Sequence, residues 1–288
     1  MKKIHLLLVT FYILNTVANA QNRENYNSHI WWTELNFKAK LSAKFFYQVD
    51  VQVRTGSDAS NKTDANTTNI FKNVSQLQFR PFLGYQIADN VQFMLAPGLS
   101  PTWSNYRSDH PTFTMEYRLT PQFVVHQKVG RLALTHRYRF EARWFSKANE
   151  STNDFSQMFD GSNYSYNNTN HRYRARYMFR IICPLNNSKI EQGTFYINFF
   201  NELFVNFGKN VPSTQQIDQN RLNLGLGYRM ARDIRFEIGP FNQTAFAGNK
   251  GNTDVFSNTG VQFFIIFHDM KKLFKKEEVP VVPAEIGK

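Results

Sequence analysis

The chain has 288 residues, enough for one large β domain or two small ones, and it carries a formal net charge of +12 with 16% aromatic residues, 28 of them Phe. Its mean hydropathy is negative, at -0.48, which excludes a bundle of membrane helices. One cysteine, Cys183, excludes an internal disulfide framework, and the absence of a Cys cluster or grouped histidines gives no support for a metal site or any cofactor.

Residues 1–20 read as a cleavable leader. Lys2 and Lys3 form a basic start, Ile4 to Leu14 an apolar core too short to span a bilayer, and Ala18-Asn19-Ala20 a small-x-small cleavage site. Cleavage between Ala20 and Gln21 is expected. Export removes nucleic acid as the explanation of the positive charge. The segment 21–29 is expected to be a short strand or a stretch lying in the interior.

From residue 30 to residue 268 the chain alternates apolar and polar residues with period two, as in a β-strand. After 30–39, Phe45 to Arg54 sets Phe45, Tyr47, Val49, Val51 and Val53 against Phe46, Gln48, Asp50, Gln52 and Arg54. Runs at 70–86, 90–103 and 113–127 follow. In Leu132–Trp144 the sides are Leu132, Leu134, His136, Tyr138 and Phe140 against Arg137, Arg139, Glu141 and Arg143. Between Asn170 and Ile182, Tyr173, Tyr177 and Phe179 oppose Arg172, Arg174, Arg176 and Arg180. Further runs occupy 193–207, 219–231, 233–246 and 254–268. Many match or exceed the ~9–11 residues with which a tilted strand crosses a bilayer.

Short turns alternate with long polar loops, the longest being Ser146–Asn170, and aromatics gather near strand ends at Trp31, Trp32, Trp103, Tyr106, Trp144, Phe145 and Phe207. These features predict an all-β chain: a closed antiparallel transmembrane barrel of about 10–12 strands with a polar, Arg-rich lumen, in the outer membrane of a Gram-negative bacterium. A lipocalin-like soluble barrel shares the alternation, with the faces reversed. Eleven runs are counted, and an even number is expected. Residues 269–288, Lys-rich and Pro-containing, are expected to be a disordered periplasmic tail. The expected partners are outer-membrane lipid, the barrel-assembly machinery during biogenesis, and small anions.

The runs Glu116-Tyr117-Arg118-Leu119, Leu132 to Trp144, Arg172 to Tyr177, Asn201-Glu202-Leu203-Phe204 and Asn220 to Arg229 together resemble the DUF2490 family. The resemblance covers about Trp31 to Phe267 and is most specific in the Arg-x-Arg-x-Glu-x-Arg ladder from Arg137 to Arg143. It implies an outer-membrane barrel from Gram-negative bacteria, of Bacteroidetes type, with no established activity.

With the apolar face outward, the interior receives Arg54, Arg80, Arg118, Arg137, Arg139, Arg143, Arg172, Arg174, Arg176, Arg180, Arg221, Arg229 and Arg235, against Glu34, Asp50, Glu116, Glu141, Glu202 and Glu237. Two readings follow. In one, Arg and Glu interlock and fill the barrel, with Glu141 and Glu202 as clamps for Arg137, Arg139, Arg143 and Arg174. In the other, surplus Arg lines a narrow path that favours anions. A lipid-modifying enzyme and a receptor acting through loop 146–170 are further alternatives, but no Ser–His–acid spacing stands out among His126, His136, His171 and His268, and no catalytic residue is assigned.

Overall fold

The structure is a computed structural model that describes residues 25–57, 69–103, 113–148, 164–208, 210–211, 216–230, 234–247 and 254–270. The leader with its Ala20–Gln21 junction, Tyr106, residues 149–163 of the longest loop, and the tail beyond residue 270 lie outside the described residues.

Among the described residues every element is a strand: β1 (Asn25–Lys40), β2 (Phe45–Gly56), β3 (Asn73–Ala88), β4 (Val91–Trp103), β5 (Phe113–Val129), β6 (Leu132–Ala148), β7 (Tyr164–Pro184), β8 (Phe195–Phe207), β9 (Ile217–Arg229), β10 (Ile234–Ala247) and β11 (Asp254–Phe267). They range from 12 residues in β2 to 21 in β7. Each pairs with its chain neighbours, and β1 pairs with β11, closing the sheet into a barrel.

The barrel has eleven strands, the number of alternating runs counted and within the expected 10–12. The expectation of an even number is overturned, and with it that of a sheet antiparallel throughout. With an odd number, the first and last strands run in the same direction, so their ladder must be parallel. It runs unbroken from Asn25↔Val255 to Phe37↔Phe267. Of the segment 21–29, residues 25–29 form the leading part of β1, and 21–24 lie outside the described residues.

One end of the barrel carries the links 41–44, 89–90, 130–131, 185–194 and 230–233; the other carries the longer links 57–72, 104–112, 149–163, 208–216 and 248–253. At 130–131 the chain reverses in two residues, and Gly130, with φ of +58°, supplies the left-handed backbone this needs. The long link at 185–194 belongs to the short-turn end. There Asn186 and Asn187 side chains bond Gly193 and Thr194, Arg131 donates to the carbonyls of Pro184 and Leu185, and the link is held as a hydrogen-bonded cap.

Strand alternation sorts side chains onto two faces of the closed wall. Leu83, Leu95, Leu119, Phe123, Leu222, Leu224 and Leu226 stand on the outer face, exposed up to 61% at Leu226. Asp50, Arg80, Glu116, Arg139, Glu141, Arg174, Arg176, Glu202, Arg221 and Glu237 are buried on the inner face. Hydrophobic burial alone therefore does not explain the interior, where these charged groups are packed among rings such as Tyr196, Phe82 and Phe204.

Near the short-turn end the outer face carries cross-strand ring pairs, among them Phe37–Phe267 at 4.9 Å, Phe93–Phe123 at 5.0 Å and Phe195–Tyr228 at 4.6 Å. Towards the other end stand Trp144, His171, Tyr173, Phe140 and Phe207. Trp32 and Phe145, grouped with these from the sequence, face inward instead. Trp32 is buried, with the Arg54 and Arg221 guanidiniums over its ring, and Phe145 receives two guanidiniums on its own; Trp103 is buried as well, with the parity of the outward residues of β4.

Candidate functional site

The site is the barrel interior, and it follows from register. Residues directly opposite each other in a ladder have Cβ atoms about 4.5–5.5 Å apart. The β6–β7 ladder sets Glu141 opposite Arg174, but also Arg139 opposite Arg176 and Arg143 opposite Arg172. The β5–β6 ladder sets Arg118 opposite Arg143. Like charges facing each other at that spacing repel, so each such pair needs a carboxylate or a turned side chain.

The structure supplies both. Glu141, fully buried, receives Arg174 Nε at 2.7 Å and Arg176 Nη1 at 2.6 Å, with Arg118 at 3.9 Å. Arg176 also donates through Nη2 to Glu202 at 2.8 Å, so one guanidinium bridges the two carboxylates. Glu202 takes Arg137 at 2.8 Å and lies 3.9 Å from Arg221, its ladder partner. Arg174 reaches Asp218 at 2.8 Å. Glu116 sits between Arg118 and Arg143: Arg118 grips it through two bonds of 2.6 Å, and Arg143 bonds the same carboxylate. Paired, hydrogen-bonded charges of this kind tolerate burial that bare ones do not.

Not every expected partner joins. Arg139 turns from Arg176 and donates to Gln122 at 2.7 Å, and Arg143 serves Glu116 and not Glu141 or Glu202. Arg180 grips Glu237 at 2.5 and 2.6 Å, in a separate cluster that Tyr196 completes with its hydroxyl at 2.8 Å. Arg229, at the end of β9, donates to the Ile190 carbonyl of the 185–194 cap. Arg172 has its ring contact with Phe145 at 4.9 Å and no carboxylate within ion-pair distance among the described residues.

Charge counting alone missed the aromatic half of the interior. Arg54 and Arg221 lie 3.8 and 4.8 Å from the Trp32 ring, and Arg174, Arg176 and Arg221 lie 5.1, 4.3 and 4.4 Å from that of Phe204. Each contact is worth about 0.5–2 kcal/mol. The signal was in the alternation: Trp32 shares a face with Glu34, and Phe204 with Glu202. An apolar cluster of Phe46, Phe82, Met94, Ala96 and Val124 also faces inward, so the lumen is less polar than its Arg content implies. Gly84 and Gly227 make room for rings, since a Cβ at either would stand 2.2 Å from Phe46 or Tyr196.

These side chains divide the lumen. A cavity of about 400 Å³ lies towards the short-turn end, lined by Glu34, Lys38, Asp50, Arg80, Arg137 and Arg180 among others. A second, of about 430 Å³, lies towards the long-loop end, lined by Arg54, Glu116, Arg118, Arg143, Arg172 and Arg174 among others. Arg176 and Arg221 border both. They form a waist with Trp32, Phe204, Glu141 and Glu202.

The four candidate histidines divide: His126 and His268 border the cavity at the short-turn end, and the other two do not. His136 is on the outer face, within 2.9 Å of the Tyr177 hydroxyl and 3.2 Å of Gln127, and His171 packs there against Trp144 and Tyr173. Among the described residues no group of three His, Cys, Asp or Glu is placed to hold a metal ion.

A family model described as "Protein of unknown function (DUF2490)" matches residues 30–254. The chain belongs to this family. The match begins within β1, takes in all of β2 to β10 and ends at the first residue of β11, so every residue of the DUF2490 waist lies inside it. No curated protein and no solved structure matches the chain.

Proposed function

We propose that this DUF2490 barrel is an integral protein of the outer membrane of a Gram-negative bacterium, of Bacteroidetes type, with a lumen closed at mid-height by its own side chains. The leader at 1–20 exports it, and the barrel-assembly machinery and membrane lipid are its partners in biogenesis. The observation that carries this reading is the inversion of the wall, with leucines and aromatics exposed outside and arginines and carboxylates buried inside. A water-soluble barrel of lipocalin type has the opposite arrangement. Closure leaves no backbone edge unpaired, the condition for a sheet in hydrocarbon. Strands of 12 residues or more suffice to cross it. The long-loop end then faces outward and the short-turn end the periplasm.

A narrow anion path is the second reading, favoured by the excess of arginine along both cavities. The waist argues against free diffusion, because Arg176 is bound to two carboxylates and Phe204 is fully buried beside it.

Fractionation of cells expressing the full chain tests the membrane assignment. The mature protein is expected in the outer-membrane pellet, resistant to extraction by carbonate or urea. Recovery as a soluble periplasmic protein would reject it.

A further inference from the structure

The cavity at the long-loop end is out of charge balance. Among the described residues, seven guanidiniums and a single carboxylate, Glu116, line it. Glu116 is already held by Arg118 and Arg143, and the buried Glu141 of the waist is held by Arg174 and Arg176. Among the described residues Arg54 and Arg172 have no carboxylate within ion-pair distance, and Arg221 has Glu202 only at 3.9 Å, beyond hydrogen-bond distance.

Their neutral contacts are sparse. Arg54 is 9% exposed; its Nη2 lies 3.4 Å from Gln52, and its buried Nε has no hydrogen-bond acceptor among the described residues. Arg172 has its Nε in the same condition. Arg221 donates to two amide oxygens, of Gln243 and Gln219, at 2.8 and 3.0 Å, and shares the Trp32 ring with Arg54. Bringing two cations onto one ring in a desolvated interior, with Glu202 at 3.9 Å from Arg221 as their one carboxylate within ion-pair distance among the described residues, is costly unless an anion enters between them.

We infer that this cavity is a binding site for a soluble oxyanion carrying at least two negative charges, of the phosphate-ester or pyrophosphate type, with Arg54, Arg172 and Arg221 as its principal donors. A guanidinium matches such a group with two parallel N–H bonds. The volume of about 430 Å³ falls in the usual range of about 300–1,000 Å³ for small-molecule sites, so the ligand can be larger than the bare ion. Glutamine, threonine and asparagine side chains on the same wall, among them Gln76, Thr102 and Asn258, suit the neutral part of such a solute. The cavity is walled by strands, so a lipid in the surrounding layer does not reach it through the wall; a dissolved ligand is the occupant. Among the described residues the site is formed by strand side chains of the barrel interior and by Ser57 beside them, so it holds in detergent or in a bilayer.

The test is calorimetric titration of the refolded mature chain with inorganic pyrophosphate at fixed ionic strength, with acetate as a monovalent control. Saturable 1:1 binding is expected, about tenfold or more weaker in Arg54→Gln and in Arg172→Gln, and unchanged in Arg235→Gln, which borders the other cavity. Arg172 is only half-buried, so its variant keeps the test alive should Arg54→Gln fail to fold. Absence of saturable binding by the unaltered protein, equal competition by acetate, or equal weakening by Arg235→Gln would overturn the assignment. So would loss of pyrophosphate binding in nanodiscs of phosphatidylglycerol but not of phosphatidylcholine, since a lipid headgroup would then be the occupant.

Discussion

Glu141→Leu is expected to destabilise the barrel by about 3–5 kcal/mol, measured as a shift in the urea folding equilibrium in lipid vesicles. Glu141 is fully buried and accepts from both Arg174 and Arg176, and its loss leaves two guanidiniums desolvated with half their charge partners gone. Arg174 keeps Asp218, and Arg176 keeps Glu202, which prevents outright collapse. The contrast is Arg54→Gln. Arg54 has no carboxylate partner among the described residues, so its removal relieves repulsion and costs under about 1 kcal/mol, the loss being mainly its contact with Trp32. Equal costs for the two substitutions would contradict the view that Glu141 anchors the waist.

The second large effect comes from the odd strand count. An even-stranded barrel returns both termini to one end; eleven strands place them at opposite ends. β1 begins at the long-loop end, where Asn25 pairs with Val255, and β11 finishes at the short-turn end with Phe267 beside Phe37. With the long loops outward, a short epitope inserted after Gln21 is expected to be labelled by antibody on intact cells. The same epitope after Lys288 is expected to be labelled only once the outer membrane is opened. Labelling of neither or of both in intact cells would contradict an eleven-stranded barrel in this orientation.

Much of this architecture was legible in the alternation. The sequence runs at Phe45–Arg54, Leu132–Trp144 and Asn170–Ile182 fall on β2, the main part of β6 and the greater part of β7, and the face each residue occupies follows from parity. What parity cannot supply is direction: a strand looks the same from either end, and the parallel β1–β11 seam depends on two segments more than two hundred residues apart. The expectation of an even count came from the usual antiparallel closure, which local residues neither require nor forbid.

The ion pairs divide in the same way. Glu141 and Arg174 become neighbours through one ladder, so their meeting follows once the β6–β7 register is known. Arg176 bridging Glu141 and Glu202 depends on three adjacent strands and their stagger, and Arg180 meeting Glu237 spans β7 and β10, with no signal in either run. The roles of Trp32 and Phe204 were hidden for another reason. Aromatic residues near strand ends are usual at a membrane surface, and only their inward parity separates a ring that carries guanidiniums from one that anchors the wall.

Current across a planar bilayer tests the closed waist most directly. Refolded wild-type protein is expected to show no steady conductance, whereas Arg176→Ala combined with Arg221→Ala, which removes the two residues bordering both cavities, is expected to conduct. Steady ohmic conductance by the wild-type protein with an anion-biased reversal potential would contradict the closed waist and make the barrel a pore.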